Sequence, residues 1–256
     1  MIIDWVYFQS NLYDRAPPLL RAIVTKRDTI LCINNRSKFL GELTNYFSSI
    51  NIAFVDHPYN EPVPKDLLDK VCGIVISGGP GIPHNPLDPT LVYELITWAT
   101  NRPVPIPVIG FCLGAEIITY HFGGTVAKHK EAQHGDAMIE LTEEGRSRRN
   151  SLLPDKKDGV LLLESHSYFI HKIPEEFVVL ASSKNDPVEI MKHRKLPLYC
   201  FQGHPEKSGY RGKPIIDNFL ELCGLKVSKS EKALVGLGIE DNKDLSTHQD
   251  EWGATG

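Results

Sequence analysis

The sequence predicts a doubly wound α/β fold built on a mostly parallel sheet. Two observations carry that expectation. Between residues 29 and 122, short apolar runs alternate with segments whose apolar residues recur at helical spacing. Such alternation is the signature of parallel strands with helices packed on both faces. The third apolar run, Gly73–Ser77, is continuous and β-branched, as a strand buried on both faces should be.

The elements follow in order. Thr29–Ile33 reads as the first strand, and Phe39, Leu40, Leu43, Tyr46, Phe47 and Ile50 then share one helical face. Ile52–Val55 is the second strand and Gly73–Ser77 the third. Asp88 and Pro89 have the form of an N-cap and a first-turn proline, and Leu91, Val92, Leu95, Ile96 and Ala99 follow at helical spacing. Pro107–Phe111 is the fourth strand, and Leu113–His121 is a helix closed by Gly123 and Gly124. From 125 to 202 the pattern turns strand-rich, with candidates at Val160–Leu163, Phe177–Ala181, Val188–Met191 and Leu198–Phe201. A last helix begins near Pro214, buries Ile215, Ile216, Phe219, Leu220 and Cys223, and stops at Gly224. This describes one domain over residues 28–225 without internal repeats. Residues 1–27, with Trp5, Tyr7, Phe8 and Tyr13, are too apolar for a free tail and are expected to dock on the body or on a partner. Residues 226–256 form a polar tail expected to be largely disordered.

Composition excludes several classes. The chain has 256 residues, 41% apolar and 23% charged, which is ordinary for a soluble globular protein. Its 28 basic and 32 acidic residues give a net charge of −4, so nothing pulls it toward nucleic acid or an anionic membrane. The one tight basic run, Arg146, Arg148 and Arg149, reads as a solvated loop. The five cysteines are odd in number, widely spaced and lack a CxxC pair, which argues against a disulfide framework and for a reducing cytoplasm. The first residues lack the basic stretch of a secretory signal, and no apolar run approaches the roughly 20 residues of a membrane span. The histidines form no HExxH or Cys/His ligand pattern, so neither a metal nor a cofactor is expected.

Three segments carry chemistry. Gly110-Phe111-Cys112-Leu113-Gly114 directly follows an apolar strand and opens a helix. This is the sequence form of a nucleophile elbow with cysteine in place of serine. Small flanking residues permit the tight turn, and the helix N-terminus favours the reactive thiolate. The plainer reading is a buried core cysteine. Ser77-Gly78-Gly79-Pro80-Gly81 follows the third strand, and its glycines free backbone N–H groups to face a site. A tetrahedral oxyanion needs two donors, and Leu113 and Gly79 are the candidates. An ordinary strand-end turn would read the same way, whereas a phosphate loop would need a following GK[ST]. Gln202-Gly203-His204-Pro205-Glu206 follows the last strong strand. His204 suits a general base and then acid, with Glu206 fixing its tautomer, although His-Pro-Glu alone is also a common surface turn. All three segments fall at C-terminal ends of strands, where open α/β sheets bind ligands.

With these motifs in this order and spacing, residues 29–224 resemble the class I (triad) glutamine amidotransferases, whose glutaminase domain is flavodoxin-like. The resemblance implies a Cys112-His204-Glu206 triad, hydrolysis of the glutamine side-chain amide through a γ-glutamyl thioester, and transfer of the ammonia to a synthase. No ATP-site motif is present, so the acceptor is expected on another polypeptide. Individual segments resemble different members. Ser77–Pro83 and Gln133-His134-Gly135 are similar to the anthranilate and aminodeoxychorismate glutaminases. Asp186-Pro187-Val188-Glu189 with Met191-Lys192-His193 is similar to the glutaminase part of GMP synthetase. His204-Pro205-Glu206-Lys207-Ser208-Gly209 and His166-Ser167-Tyr168 are similar to the imidazole glycerol phosphate synthase glutaminase.

The family's glutamine pocket maps onto Ser165, His166 and Ser167, with Gly78, Gln133 and Glu116 as further candidates. Each of the loop candidates reads equally as a residue bonding its own backbone. Two positions depart from the family. Glu116 stands where a glutamine is usual; an anion there tends to raise the thiol pKa, yet it could pair with a substrate α-ammonium group. Some γ-glutamyl hydrolases of the same fold are similar in having Glu there and Lys after His-Pro-Glu. A free-standing γ-glutamyl hydrolase is therefore the alternative activity, and a non-catalytic regulatory subunit the third reading. Gly203 stands where a bulky residue is common, which predicts open room beside His204 for a larger substrate or a partner's side chain.

Overall fold

The structure is a computed structural model and describes residues 27–82, 88–147, 152–153 and 159–227. The expectations for residues 1–26 and 228–256, and for Arg148 and Arg149, lie outside the described residues. Among those described, one nine-stranded sheet forms the frame. Its elements are β1 (Thr29–Asn34), α1 (Leu40–Ser49), β2 (Ala53–Pro58), α2 (Lys65–Leu68), β3 (Val71–Ile76), α3 (Thr90–Thr100), β4 (Val108–Phe111) and α4 (Leu113–His121). There follow β5 (Thr125–Leu141), α5 (Glu143–Arg146), β6 (Val160–Lys172), β7 (Phe177–Ser182), β8 (Ile190–His193), β9 (Leu198–Phe201) and α6 (Lys213–Leu222). Two short 3₁₀ turns, Pro205–Lys207 and Gly209–Arg211, link β9 to α6.

The strand order is β2-β1-β3-β4-β9-β8-β7-β5-β6. From β2 to β9 every pairing is parallel; from β9 to β6 every pairing is antiparallel. The sheet is thus mixed, with the parallel half built by the alternating first part of the sequence and the antiparallel half by the strand-rich second part. Period-2 alternation splits the core between two faces. Ile30, Cys32 and Val75 pack with Leu43 and Phe47 of α1 and with Ile215 and Phe219 of α6. Leu31, Ile33, Ile74 and Ile76 pack with Val92, Leu95 and Ile96 of α3 and with Ala115 and Ile117 of α4. Fully burying one such side chain contributes about 1.5–3 kcal/mol.

Local signals worked where they were chemical. Asp88 Oδ1 accepts from the Thr90 N–H at 3.0 Å just ahead of α3, although the N-cap position itself falls on Pro89, one residue later than expected. Gly123 and Gly224 have φ of 82° and 81° just past α4 and α6. Ile52–Val55 shifts to Ala53–Pro58, and Val188–Met191 to Ile190–His193. The larger difference is the long β5–β6 ribbon. β5 carries Lys128, Lys130, Glu131 and Asp136 and is mostly exposed, so it shows no apolar run. β6 extends to Lys172, well beyond the expected Leu163. Ser165, His166 and Ser167 therefore lie on a strand paired with β5, not in a loop. All five cysteines are free and buried. Burial raises the Cys72 thiol to about 12 and lifts the Cys32, Cys200 and Cys223 thiols well above their usual value. Among the described residues no helix is long and apolar enough to cross a membrane.

Candidate active site

Strand β4 ends at Phe111, α4 begins at Leu113, and Cys112 alone makes the turn. Its backbone takes φ 48° and ψ −112°, a conformation that costs an L-residue about 1–3 kcal/mol. The Cys112 N–H donates to the Phe201 carbonyl of β9 at 2.8 Å, and the Glu116 N–H closes the first helical turn onto the Cys112 carbonyl. A side chain at Gly114 would overlap the Ile76 carbonyl, so α4 enters the sheet more closely than any larger residue allows. The sulfur is left at the helix N-terminus, 4.0 Å from the Ser165 carbonyl oxygen.

His204 arrives from the end of β9. Its N–H donates to the Leu163 carbonyl at 2.9 Å, and the Ser208 hydroxyl donates to the His204 carbonyl at 2.7 Å. Ser208 in turn accepts from the Leu163 N–H, so the turn is pinned to β6 from two sides. The ring Nδ1 sits 2.8 Å from Glu206 Oε1, and Phe39 packs edge-on against the ring at 4.7 Å. With Nδ1 committed to the carboxylate, Nε2 is the nitrogen left for the sulfur. Burial opposes charge on both partners. For His204 it is outweighed by Glu206 and by Cys112, and the imidazole pKa rises well above its usual value. For Cys112 burial and the nearby Glu116 raise the thiol pKa, while His204 and the Leu113 N–H pull it down.

Beside the sulfur opens a cleft of about 240 Å³, lined by Gly79, Gly81, Cys112, Leu113 and Glu116 and by 165–168 of β6. The glycine loop that forms one wall is held by Asn35, whose Nδ2 donates to the Ser77 carbonyl at 2.7 Å and whose N–H donates to the Ser77 hydroxyl. No motif pointed to Asn35; it lies just past β1, and only the parallel β1–β3 pairing brings it to the loop.

Residues 31–222 match the family model of the class-I glutamine amidotransferases. The chain belongs to this family. A glutamine-hydrolysing GMP synthase subunit from Methanopyrus kandleri is 34% identical over 199 residues, covering 76% of this chain and 98% of that protein. Its counterpart in Thermococcus kodakarensis is 31% identical over 196 residues, with the same coverage. A solved structure assigned to a GMP synthase subunit, from Thermoplasma acidophilum, superimposes with a TM-score of 0.66 at 25% identity, over 78% of this chain and 95% of that one. Like other class-I glutamine amidotransferases, this chain is a glutamine-hydrolysing enzyme on a single α/β domain.

The amidotransferase pocket differs from the expectation at several positions. Glu116, Ser165, His166 and Ser167 line the cleft. Yet both nitrogens of His166 point away to the protein: Nδ1 lies 2.7 Å from the Tyr168 carbonyl, and Nε2 lies 3.0 Å from Glu164 Oε2. The side chain is only 1% exposed, so the ring is enclosed and offers no polar atom to a substrate. Gln133 is not on the cleft; its amide bonds Asn185 and the Glu131 carbonyl, and its neighbour His134 takes the position on the wall. Gly78 is not among the residues lining the cleft; it packs against His204 and Cys112, where a Cβ would stand 3.0 Å from His204 Cε1 and 3.4 Å from Cys112 Cβ. The room expected beside Gly203 is filled by the chain itself, since a Cβ there would run into Glu164 Oε1. Glu164 is buried, 3% exposed, and held by His166. Gly203→Phe should therefore destabilise the protein by about 1–3 kcal/mol through overpacking. Glu164→Ala in the same chain should restore part of it, which chemical denaturation of both variants measures; simple additivity would show that the two positions do not compete.

Glu116 is fully enclosed, 2% exposed, with Oε1 accepting from Gln202 Nε2 at 3.3 Å. Burial raises its carboxyl from 4.5 to about 7, against the pull of Gln202 and His166. Across that interval the folded protein keeps a proton that the unfolded chain has released, so stability falls as pH rises from 4.5 toward 7. Burial likewise raises Glu164 and Glu189 to about 8, with the same sign. Glu116→Gln should remove one share of this slope. Melting temperatures across the interval should fall less steeply for the variant than for the wild type; parallel curves would refute the shift.

Proposed function

We propose that Cys112, His204 and Glu206 are the catalytic triad of a cytoplasmic glutaminase subunit that supplies ammonia to a separate GMP synthase subunit. The observation that carries the catalytic part is the strained Cys112 turn facing a histidine whose other nitrogen is fixed by a carboxylate. The partner reading rests on relatives that are themselves GMP synthase subunits of the glutamine-hydrolysing kind, matched over 98% of their length.

The chemistry follows from the atoms. Cys112 gives its thiol proton to His204 Nε2, forming the imidazolium, and its Sγ attacks the side-chain carbonyl carbon of glutamine, whose oxygen becomes an oxyanion received by the Leu113 and Gly79 N–H groups. The C–N bond breaks as the imidazolium gives its Nε2 proton to the departing nitrogen, which leaves as ammonia. Water then attacks the γ-glutamyl thioester while His204 takes its proton, and glutamate leaves as the thiol is restored. Glu206 keeps Nε2 aimed at the sulfur throughout. Glu116, whose Oε2 has no hydrogen-bond partner among the described residues, is placed to meet the α-ammonium group of the substrate.

Glutamate release by the purified full chain tests this. Alone, it should hydrolyse glutamine slowly; its cognate synthase subunit with that subunit's substrates should raise the rate about tenfold or more, within the usual range of coupling between sites. Fast turnover of a γ-glutamyl peptide with glutamine ignored would overturn the reading in favour of a free-standing hydrolase.

A further inference from the structure

Behind the cleft wall, outside the triad, lies a cluster that the mechanism does not use. His129 of β5, Glu164 and His166 of β6, and Asp186 from the β7–β8 connection converge there. His129 Nε2 is 2.8 Å from Asp186 Oδ1. His166 Nε2 is 3.0 Å from Glu164 Oε2 and 3.9 Å from Asp186 Oδ2. Glu164, Asp186 and His166 are each at most 5% exposed.

The tautomer of His166 makes this arrangement informative. A carbonyl oxygen only accepts, so the 2.7 Å contact with Tyr168 places the ring proton on Nδ1. A neutral His166 then turns the lone pair of Nε2 toward two buried carboxylates. Lone pair against an ionised carboxylate is repulsive unless a metal ion or a proton stands between them, and titration with metal distinguishes the two. Glu164 Oε1, also buried, has no hydrogen-bond partner among the described residues. Glu189, 1% exposed, adds a further acid to the same region. An imidazole that donates its far N–H to a backbone carbonyl while presenting its other nitrogen to carboxylates has the orientation of a metal ligand.

We propose that His129 Nε2, His166 Nε2 and a carboxylate oxygen of Asp186, with Glu164 as fourth donor, form a divalent transition-metal site of the zinc class. The donor atoms of His129, His166 and Asp186 all lie within 4.8 Å of one another. Four ligands around zinc stand roughly 3.4 Å apart at ordinary bond lengths of about 2.0–2.1 Å. The histidine–aspartate separations of 2.8 and 3.9 Å lie on either side of that spacing, and the set as a whole, within 4.8 Å, would have to close slightly around an ion. Two imidazoles with two carboxylates suit zinc or cobalt rather than magnesium or calcium. The ion would clip β5, β6 and the β7–β8 connection together and brace the stretch of β6 that lines the cleft. It makes no contact with the sulfur in this arrangement, so its role is structural.

The test uses the untagged full chain carrying Cys112→Ser, which removes the active-site thiol as a competing ligand, after chelator treatment. Cobalt(II) titration should give one equivalent per chain with the visible bands of a four-coordinate ion, and zinc should displace it and raise the melting temperature. His129→Ala, the mildest change because His129 is the least buried donor at 11% side-chain exposure, should weaken binding by at least about tenfold. Asp186→Asn should do the same. Failure of the unsubstituted cluster to bind either ion, or undiminished affinity in both variants, would overturn the proposal and leave a proton to hold the cluster together. Because the readout is metal stoichiometry and spectrum, its failure would leave the glutaminase reading untouched.

Discussion

Replacing Cys112 with alanine should abolish glutamate release while leaving glutamine bound. The expected loss is on the order of 10⁴-fold or more, the scale seen when the nucleophile of a cooperating triad is removed. No other group can substitute. The other described cysteines are enclosed in the core with thiol pKa values raised by burial, and none lines the cleft. His204 and Glu206 would remain paired at 2.8 Å, but with no sulfur to deprotonate. Alanine keeps the strained φ of 48° without adding bulk, so the fold should survive. Glutamine binding by calorimetry, beside glutamate release, separates the two effects. Activity within tenfold of wild type would remove Cys112 from the mechanism.

Gly79→Ala should lower kcat by about 10²–10³ with little change in KM, the cost of one lost oxyanion donor. The added methyl would collide with the Asn35 carbonyl oxygen and crowd the Asn35 side chain. That oxygen is backbone, and Asn35 is itself tied to Ser77 by two hydrogen bonds, so Asn35 cannot retreat alone. The glycine loop must move instead, and its N–H with it. The oxyanion exists only after attack, which is why the loss belongs in kcat and not in substrate binding. An unchanged kcat would mean that Leu113 and another donor hold the oxyanion. A matched fall in stability can be followed by thermal melting and distinguished from the kinetic loss.

The parallel half of the sheet was legible because its strands are buried on both faces and its helices on one, which leaves continuous and periodic apolar signals. Cys112, His204 and Glu206 were legible for a different reason: each sits in a short local motif fixed by its own turn chemistry. β5 was not legible, because an exposed ribbon strand bears charged residues and is held by pairing to β6, not by burial. The reading of Gly203 as open space failed on the same ground. A glycine reports only the absence of its own side chain, and Glu164 from a strand about forty residues earlier in the chain supplies the volume. The same strand pairing removed Gln133 from the cleft and turned both nitrogens of His166 away from it.

The sequence by itself therefore determined the alternating frame, the strained Cys112 turn and the histidine–carboxylate pair, since backbone strain, turn chemistry and strand burial are set within a few residues. Only the tertiary structure decided which side chains face the cleft, that Asn35 braces the glycine loop after β3, and that two histidines and two acids with no common motif meet behind the cleft wall. Those are contacts between segments far apart in the chain, and their partners are chosen by sheet register, which no local spacing encodes.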